Sequence, residues 1–137
     1  MHTEKRLFRK TLKQSGYSIT RQRLSLFETL QGHNSLAVWQ LVTRLPDQDQ
    51  ATVYRNIKVF EELGIINRLQ LGWHSKLELS DIFHHHHHHL TCLKCGKVII
   101  LKDNPILETE ITRLSARRGF TPTDHQLEIR GLCSQCQ

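Results

Sequence analysis

Four cysteines stand in two pairs of identical spacing, Cys92-Leu93-Lys94-Cys95 and Cys133-Ser134-Gln135-Cys136, and the chain has no others. Two Cys-x-x-Cys pairs can close one tetrahedral four-thiolate zinc site that leaves no open position for chemistry. Such a site would staple the C-terminal segment, because the chain between the pairs must fold back on itself. A redox role is the alternative for a Cys-x-x-Cys pair, but two pairs with nothing left over favour zinc. Directly before the first pair run six histidines, His84 to His89. Imidazole is the commonest metal-binding side chain near neutral pH, so this tract points to sensing or use of a metal. Six histidines also match a purification tag in length. This run is internal, however, and joins Ile82-Phe83 to Leu90-Thr91-Cys92 without a linker, so it is read as native sequence.

The elements that would position these groups fall into two modules, 1–82 and 83–137. The chain has 137 residues and 38% hydrophobic content, enough for one ordinary domain or two small ones. Two domains of about 55–80 residues are each marginal alone, which suits a zinc staple or dimerisation. Formal charge is +6 with His neutral. The excess lies in the N-terminal half, where residues 1–80 carry 12 Lys/Arg against 7 Asp/Glu. It is densest at Lys5, Arg6, Arg9, Lys10, Lys13, Arg21 and Arg23. A basic half fits a polyanion such as nucleic acid, although charge runs are more often solvated helix faces. The N-terminus is charged, and Val98–Leu101 is the longest aliphatic run, so neither a signal peptide nor a membrane span is expected. The paired thiols then read as ligands in a cytoplasmic protein.

Apolar periodicity gives helices over 3–15, from Thr20 onward, over 36–45 and over 50–63. Thr20 is a capping hydroxyl, with Ile19 and Leu24 at staple spacing. In the fourth helix Val53, Ile57 and Phe60 form the apolar stripe, Arg55 and Lys58 lie opposite, and Tyr54 stands at the border. Residues 65–71 and 76–79 read as a hairpin joined through Gly72-Trp73-His74-Ser75. Helices followed by such a hairpin describe a winged helix-turn-helix whose fourth helix enters the major groove. Beyond the histidines, Leu90–Cys92, Lys97–Leu101 and His125–Arg130 read as strands. Asn104-Pro105 opens a helix carrying Leu107, Ile111 and Leu114. The fold class is α+β, an N-terminal winged helix followed by a small zinc-stapled α/β module.

Thr20-Arg21-Gln22-Arg23, Ala51-Thr52-Val53-Tyr54-Arg55-Asn56 and Leu63-Gly64-Ile65 are followed in order by the runs from His86 to Lys97 and from His125 to Cys136. On these motifs the chain resembles the ferric uptake regulator family of bacterial metalloregulators. The resemblance covers nearly the whole chain. It implies a homodimeric repressor, not an enzyme, that binds an AT-rich palindromic operator on double-stranded DNA when loaded with metal. Tyr54 would contact thymine methyl groups, Arg55 a base edge or phosphate, and Arg21 a phosphate, with Thr52 on the same helix. Lys10 and Lys13 would add backbone contacts. Cys92, Cys95, Cys133 and Cys136 would hold structural Zn²⁺. His87 and His89, with Glu78 and with His33 or His74, would form a regulatory site at the junction of the modules. His86, His88, Glu108 (or Glu110) and His125 would form another. The regulatory metal would be Zn²⁺, slightly favoured over Fe²⁺, with Mn²⁺ and Ni²⁺ as further possibilities. Iron-sensing members carry a carboxylate shortly after Cys-Gly-Lys-Val-Ile; here Ile100 stands there, which lowers the coordination number and leans toward zinc. Two other readings compete. A small zinc hydrolase or nuclease would need an open metal position, but the chain has no His-Glu-x-x-His helix. A histidine-rich metal buffer would give Ala51–Asn56 no role.

Overall fold

A computed structural model describes residues 2–71 and 74–137, with the backbone alone for Leu71 and His74. The chain divides into two compact units, Met1–His84 and His85–Gln137.

The first unit is built from α1 (His2–Gln14), α2 (Arg21–Gln31), α3 (Val38–Arg44), α4 (Gln50–Glu62), β1 (Ile66–Leu71) and β2 (His74–Leu79). Capping sets where two of the helices begin. Thr20 accepts the Arg23 N–H at 3.2 Å, and Asp49 accepts the Ala51 N–H at 2.8 Å, each satisfying a backbone donor that the helix leaves orphaned. Gly64, at φ 69°, turns the chain from α4 into β1 in a conformation that costs a side-chain-bearing residue energy. β1 and β2 pair antiparallel from Ile66↔Leu79 to Leu71↔His74, and Leu36 bridges to Leu77. β2 therefore begins at His74, two residues earlier than the sequence suggested. His74 and Ser75 belong to the strand rather than the turn, because cross-strand pairing carries on past the end of the β-rich pattern. Gly72 and Trp73 lie outside the described residues.

One apolar core joins these elements. Phe8 stacks on Phe27 with ring centroids 4.3 Å apart, Phe60 meets Phe8 edge-on at 5.3 Å, and Phe83 meets Phe27 at 5.2 Å. Leu12, Leu26, Leu30, Leu41, Val53, Ile65, Leu77 and Leu79 fill the space around the rings. The stripe read from the sequence is the buried side of α4, with one addition: Asn56 is buried among Val53, Ile57 and Phe60.

The second unit contains β3 (His87–Cys92), β4 (Val98–Lys102), α5 (Pro105–Arg117) and β5 (Glu128–Gly131). Its sheet runs in the order β4-β3-β5, with β3 antiparallel to β4 and parallel to β5. The parallel pair needs a crossover, which α5 supplies. Asn104 accepts the Ile106 and Leu107 N–H groups, with Pro105 opening the helix. α5 buries no residue within the chain. Two expected strands differ. β3 starts inside the histidine tract rather than at Leu90, since the tract pairs with β4 from His87↔Lys102. β5 begins at Glu128 rather than His125, so His125 belongs to the preceding loop. Among the described residues no helix is long and apolar enough to cross a membrane.

Candidate metal centres and nucleic-acid face

Both cysteine pairs sit on tight turns at the same end of the β3–β5 pair. In the first turn Gly96 takes φ 76°, its N–H donates to the Cys92 carbonyl at 3.0 Å, and the Cys92 N–H donates to the Lys97 carbonyl at 2.9 Å. The Leu93 N–H donates to the Gly131 carbonyl at 2.8 Å, tying this turn to the strand that delivers Cys133. The four Sγ atoms lie within 4.8 Å of one another. Cys95 and Cys133 are 3.8 Å apart. A tetrahedron with Zn–S bonds of about 2.3 Å has edges of about 3.8 Å, so the donor set fits zinc. The thiols also behave as a ligand array. Backbone N–H groups of Cys95 and Cys133 donate to Cys92 Sγ and draw that thiol down to about 6. Cys136 is pushed up to about 12, first by its hydrogen bond with Cys133, then by burial and by Cys92 and Cys95. Four adjacent thiolates therefore need a cation among them.

A second cluster forms at the other end of the sheet. His86 and His88 alternate along the chain onto one face, α5 presents Glu108 from its first turn, and the loop before β5 supplies His125. Their ligand atoms lie within 4.8 Å of one another. His88 Nε2 is 2.5 Å from Glu108 Oε1, His125 Nε2 is 2.8 Å from Glu108 Oε2, and the His86 and His125 Nε2 atoms are 3.0 Å apart. Three imidazole nitrogens and a carboxylate thus point at one centre, a donor set that suits tetrahedral zinc and also accepts other divalent transition metals. Burial alone raises the Glu108 carboxyl; the His88 hydrogen bond and the charges of His125 and His86 outweigh it and hold the group below its ordinary range. His88 is 1% exposed, and its Nδ1 is buried without a hydrogen-bond partner among the described residues. Glu110 is turned elsewhere and pairs with Arg113.

His87 and His89 occupy the opposite face of β3, their rings 4.8 Å apart. Ile100 lies directly across from His89 on β4, so the position where iron-sensing members are expected to carry a carboxylate is beside this pair. Glu78 is buried on β2. His33 is exposed just after α2, with Nδ1 2.8 Å from the Thr29 carbonyl, and belongs to no ligand cluster among the described residues. The His74 side chain lies outside what is described.

On the first unit, Tyr54 is 49% exposed and Arg55 is exposed beside it on α4. Arg55 donates to Thr52 Oγ1 at 3.2 Å, which orients the guanidinium along the helix. Arg21 opens α2 and is exposed, as are Lys10 and Lys13 on α1. Arg44 shares a cleft with Arg21, a cation that sequence patterning does not single out.

The Ferric uptake regulator family matches residues 14–130. The chain belongs to that family. It is 38% identical to the Ferric uptake regulation protein of Legionella pneumophila, covering 92% of this chain and 96% of that one. The crystal structure of the Vibrio cholerae ferric uptake regulator superposes with a TM-score of 0.75 at 33% identity, covering 91% of this chain and 98% of that one. The Francisella tularensis regulator, solved with iron, gives 0.72 at 27% identity, over 88% and 95%. As a member of the ferric uptake regulator family, the chain is a metal-responsive transcriptional regulator with a winged-helix DNA-binding domain and a dimerisation domain. Such regulators bind DNA, act as dimers and are not enzymes, so the hydrolase and buffer readings are not favoured. Structures in the family carry iron, manganese or zinc.

Proposed function

We propose that this regulator is a cytoplasmic homodimeric repressor that binds an AT-rich palindromic operator when a second divalent metal joins its structural zinc. The DNA-binding domain, expected at 1–82, and the metal-binding dimerisation domain, expected at 83–137, correspond to the two compact units, whose break falls after His84 because Phe83 packs on Phe27. Cys92, Cys95, Cys133 and Cys136 hold zinc. His86, His88, Glu108 and His125 hold the regulatory metal in one site; Glu78, His87 and His89, with His33, supply the other. The observation that carries this reading is the convergence of three Nε2 atoms and the Glu108 carboxylate on one centre. Three nitrogens and one oxygen favour Zn²⁺ over Fe²⁺, and Ile100 beside His89 removes an oxygen donor that six-coordinate iron would use.

Glu78 belongs to the first unit and His87 and His89 to the second. Metal would act on DNA binding by favouring the form of the protein whose ligands are in place, since only ligands present in one arrangement can shift the population toward it. Tyr54 then reaches thymine methyl groups, Arg55 a base edge or phosphate, and Arg21, Lys10 and Lys13 the phosphate backbone.

A gel shift on AT-rich palindromic and scrambled duplexes, with and without chelator and across Zn²⁺, Fe²⁺, Mn²⁺ and Ni²⁺, tests this. Specific binding should appear with metal, be strongest with Zn²⁺ and vanish with chelator. Equal binding with and without chelator would remove the switch, and a preference for Fe²⁺ would overturn the metal assignment.

A further inference from the structure

α4 carries one polar residue on its buried side. Val53, Ile57 and Phe60 are buried around Asn56, which is 6% exposed. A buried amide needs a partner, and here the partner comes from α2. Arg23 Nε donates to Asn56 Oδ1 at 3.1 Å. The same guanidinium donates through Nη1 to the Ser18 carbonyl at 2.6 Å and the Ser18 hydroxyl at 3.3 Å. Its carbon stands 5.3 Å from the centroid of the Tyr17 ring. One planar cation therefore joins the connection before α2, α2 itself and α4.

The apolar contacts of α4 are non-directional. Val53, Ile57 and Phe60 tolerate a small slide or rotation of the helix with little change in buried area. A fork of hydrogen bonds from a rigid guanidinium does not. Asn56 immediately follows Arg55, so the rotation that Arg23 sets at Asn56 is the rotation at which Tyr54 and Arg55 leave the helix. Base-edge contacts need placement to a fraction of an ångström.

We propose that Arg23 is a positioning residue for DNA recognition: through Asn56 it fixes the axial rotation of α4 and so aims Tyr54 and Arg55. This rests on α4 being the helix that reads base edges. A bond that only stabilised the fold would leave sequence preference untouched in any variant that still folds.

The test compares affinity for a duplex selected from a random pool by the wild-type protein with affinity for a scrambled duplex, using full-length metal-loaded protein. Arg23→Met combined with Asn56→Leu removes both polar partners, so no buried amide is stranded. Its fold is checked by circular dichroism and melting. Scrambled-duplex affinity should stay within about threefold of wild type, reflecting one lost charge, while the specific-to-scrambled ratio falls about tenfold. Arg23→Lys keeps the charge without the fork and should also lower the ratio. A folded double variant with the wild-type ratio overturns the proposal; should it not fold, a wild-type ratio in Arg23→Lys does so. Tyr54→Ala separates the two levels. If it leaves the ratio unchanged, α4 is not the reader and both ideas fall. If it lowers the ratio and the Arg23 variants do not, the positioning role alone falls.

Discussion

Every buried member of the apolar core, from Phe8 to Phe83, belongs to the first unit. In the second unit the buried residues are His88, His89, Thr91 and Cys92, three of them potential metal ligands, and α5 buries none within the chain. The first unit is thus held by aromatic and aliphatic packing, which acts at any metal concentration. In the second, clustered thiols, imidazoles and a carboxylate that a cation can join take the place of that packing. The first unit should therefore hold without metal, whereas the second is expected to depend on a cation and, through α5, on a partner. A sensor benefits from this division, because metal then changes the part that senses without melting the part that reads.

The sharpest way to break the comparison is to remove the cation. Stripping zinc, or Cys133→Ser, should unfold β3, β4 and β5 and leave α1–α4 intact, since structural zinc of this type supplies about 10 kcal/mol or more of folding free energy. Amide hydrogen exchange would report both units at once; a protected second sheet in zinc-free protein would contradict the division. Phe60→Ala is the converse experiment. It should cost about 3–5 kcal/mol in a denaturant titration without changing the zinc content of folded protein. Loss of zinc in that folded variant would show that the units share one stability.

Smaller effects sharpen the picture within the second unit. Glu108→Gln should weaken the regulatory metal by at least about tenfold in a competition assay while zinc at the cysteines stays. Acid should weaken binding of that metal, because protons compete with it for the imidazole nitrogens and the carboxylate. Glu108 keeps its share to lower pH than an ordinary carboxylate. Its folded value is lowered, so its contribution is present above the unfolded value and is lost only as pH falls through the lower folded one. A metal affinity that does not change with pH would argue against imidazole ligation. The smallest change concerns the first unit's surface: Lys13→Ala should weaken specific and scrambled duplexes alike and flatten the salt slope by about 0.9. An unchanged slope would take Lys13 off the DNA face.

Features set by local chemistry were readable from the chain. Thr20 and Asn104 cap their helices, because the signal for each lies within a few residues. Features set by distant neighbours were readable only where four thiols with no others in the chain implied one site, or where the family resemblance supplied the set, as for His86, His88, Glu108 and His125. The first strand of the second sheet extends into the histidines because β4 runs alongside it, and no strand pattern exists in a run of one residue. The choice between Glu108 and Glu110 depends on helical phase: two residues further round α5, Glu110 faces Arg113 instead. Asn56 was read only as the end of the Ala51–Asn56 motif; its burial and its bond to Arg23, 33 residues away, were not legible.

The uniformity of the tract from His84 to His89 has one more consequence. In a pleated strand a one-residue deletion swaps the two faces, and in most sequences that would exchange ligands for bystanders. Here every neighbour is the same residue, so a shortened tract still offers imidazole to both sides of the sheet. The metal-binding chemistry is thereby buffered against small changes in repeat length, while a single replacement inside the tract strikes one face and spares the other.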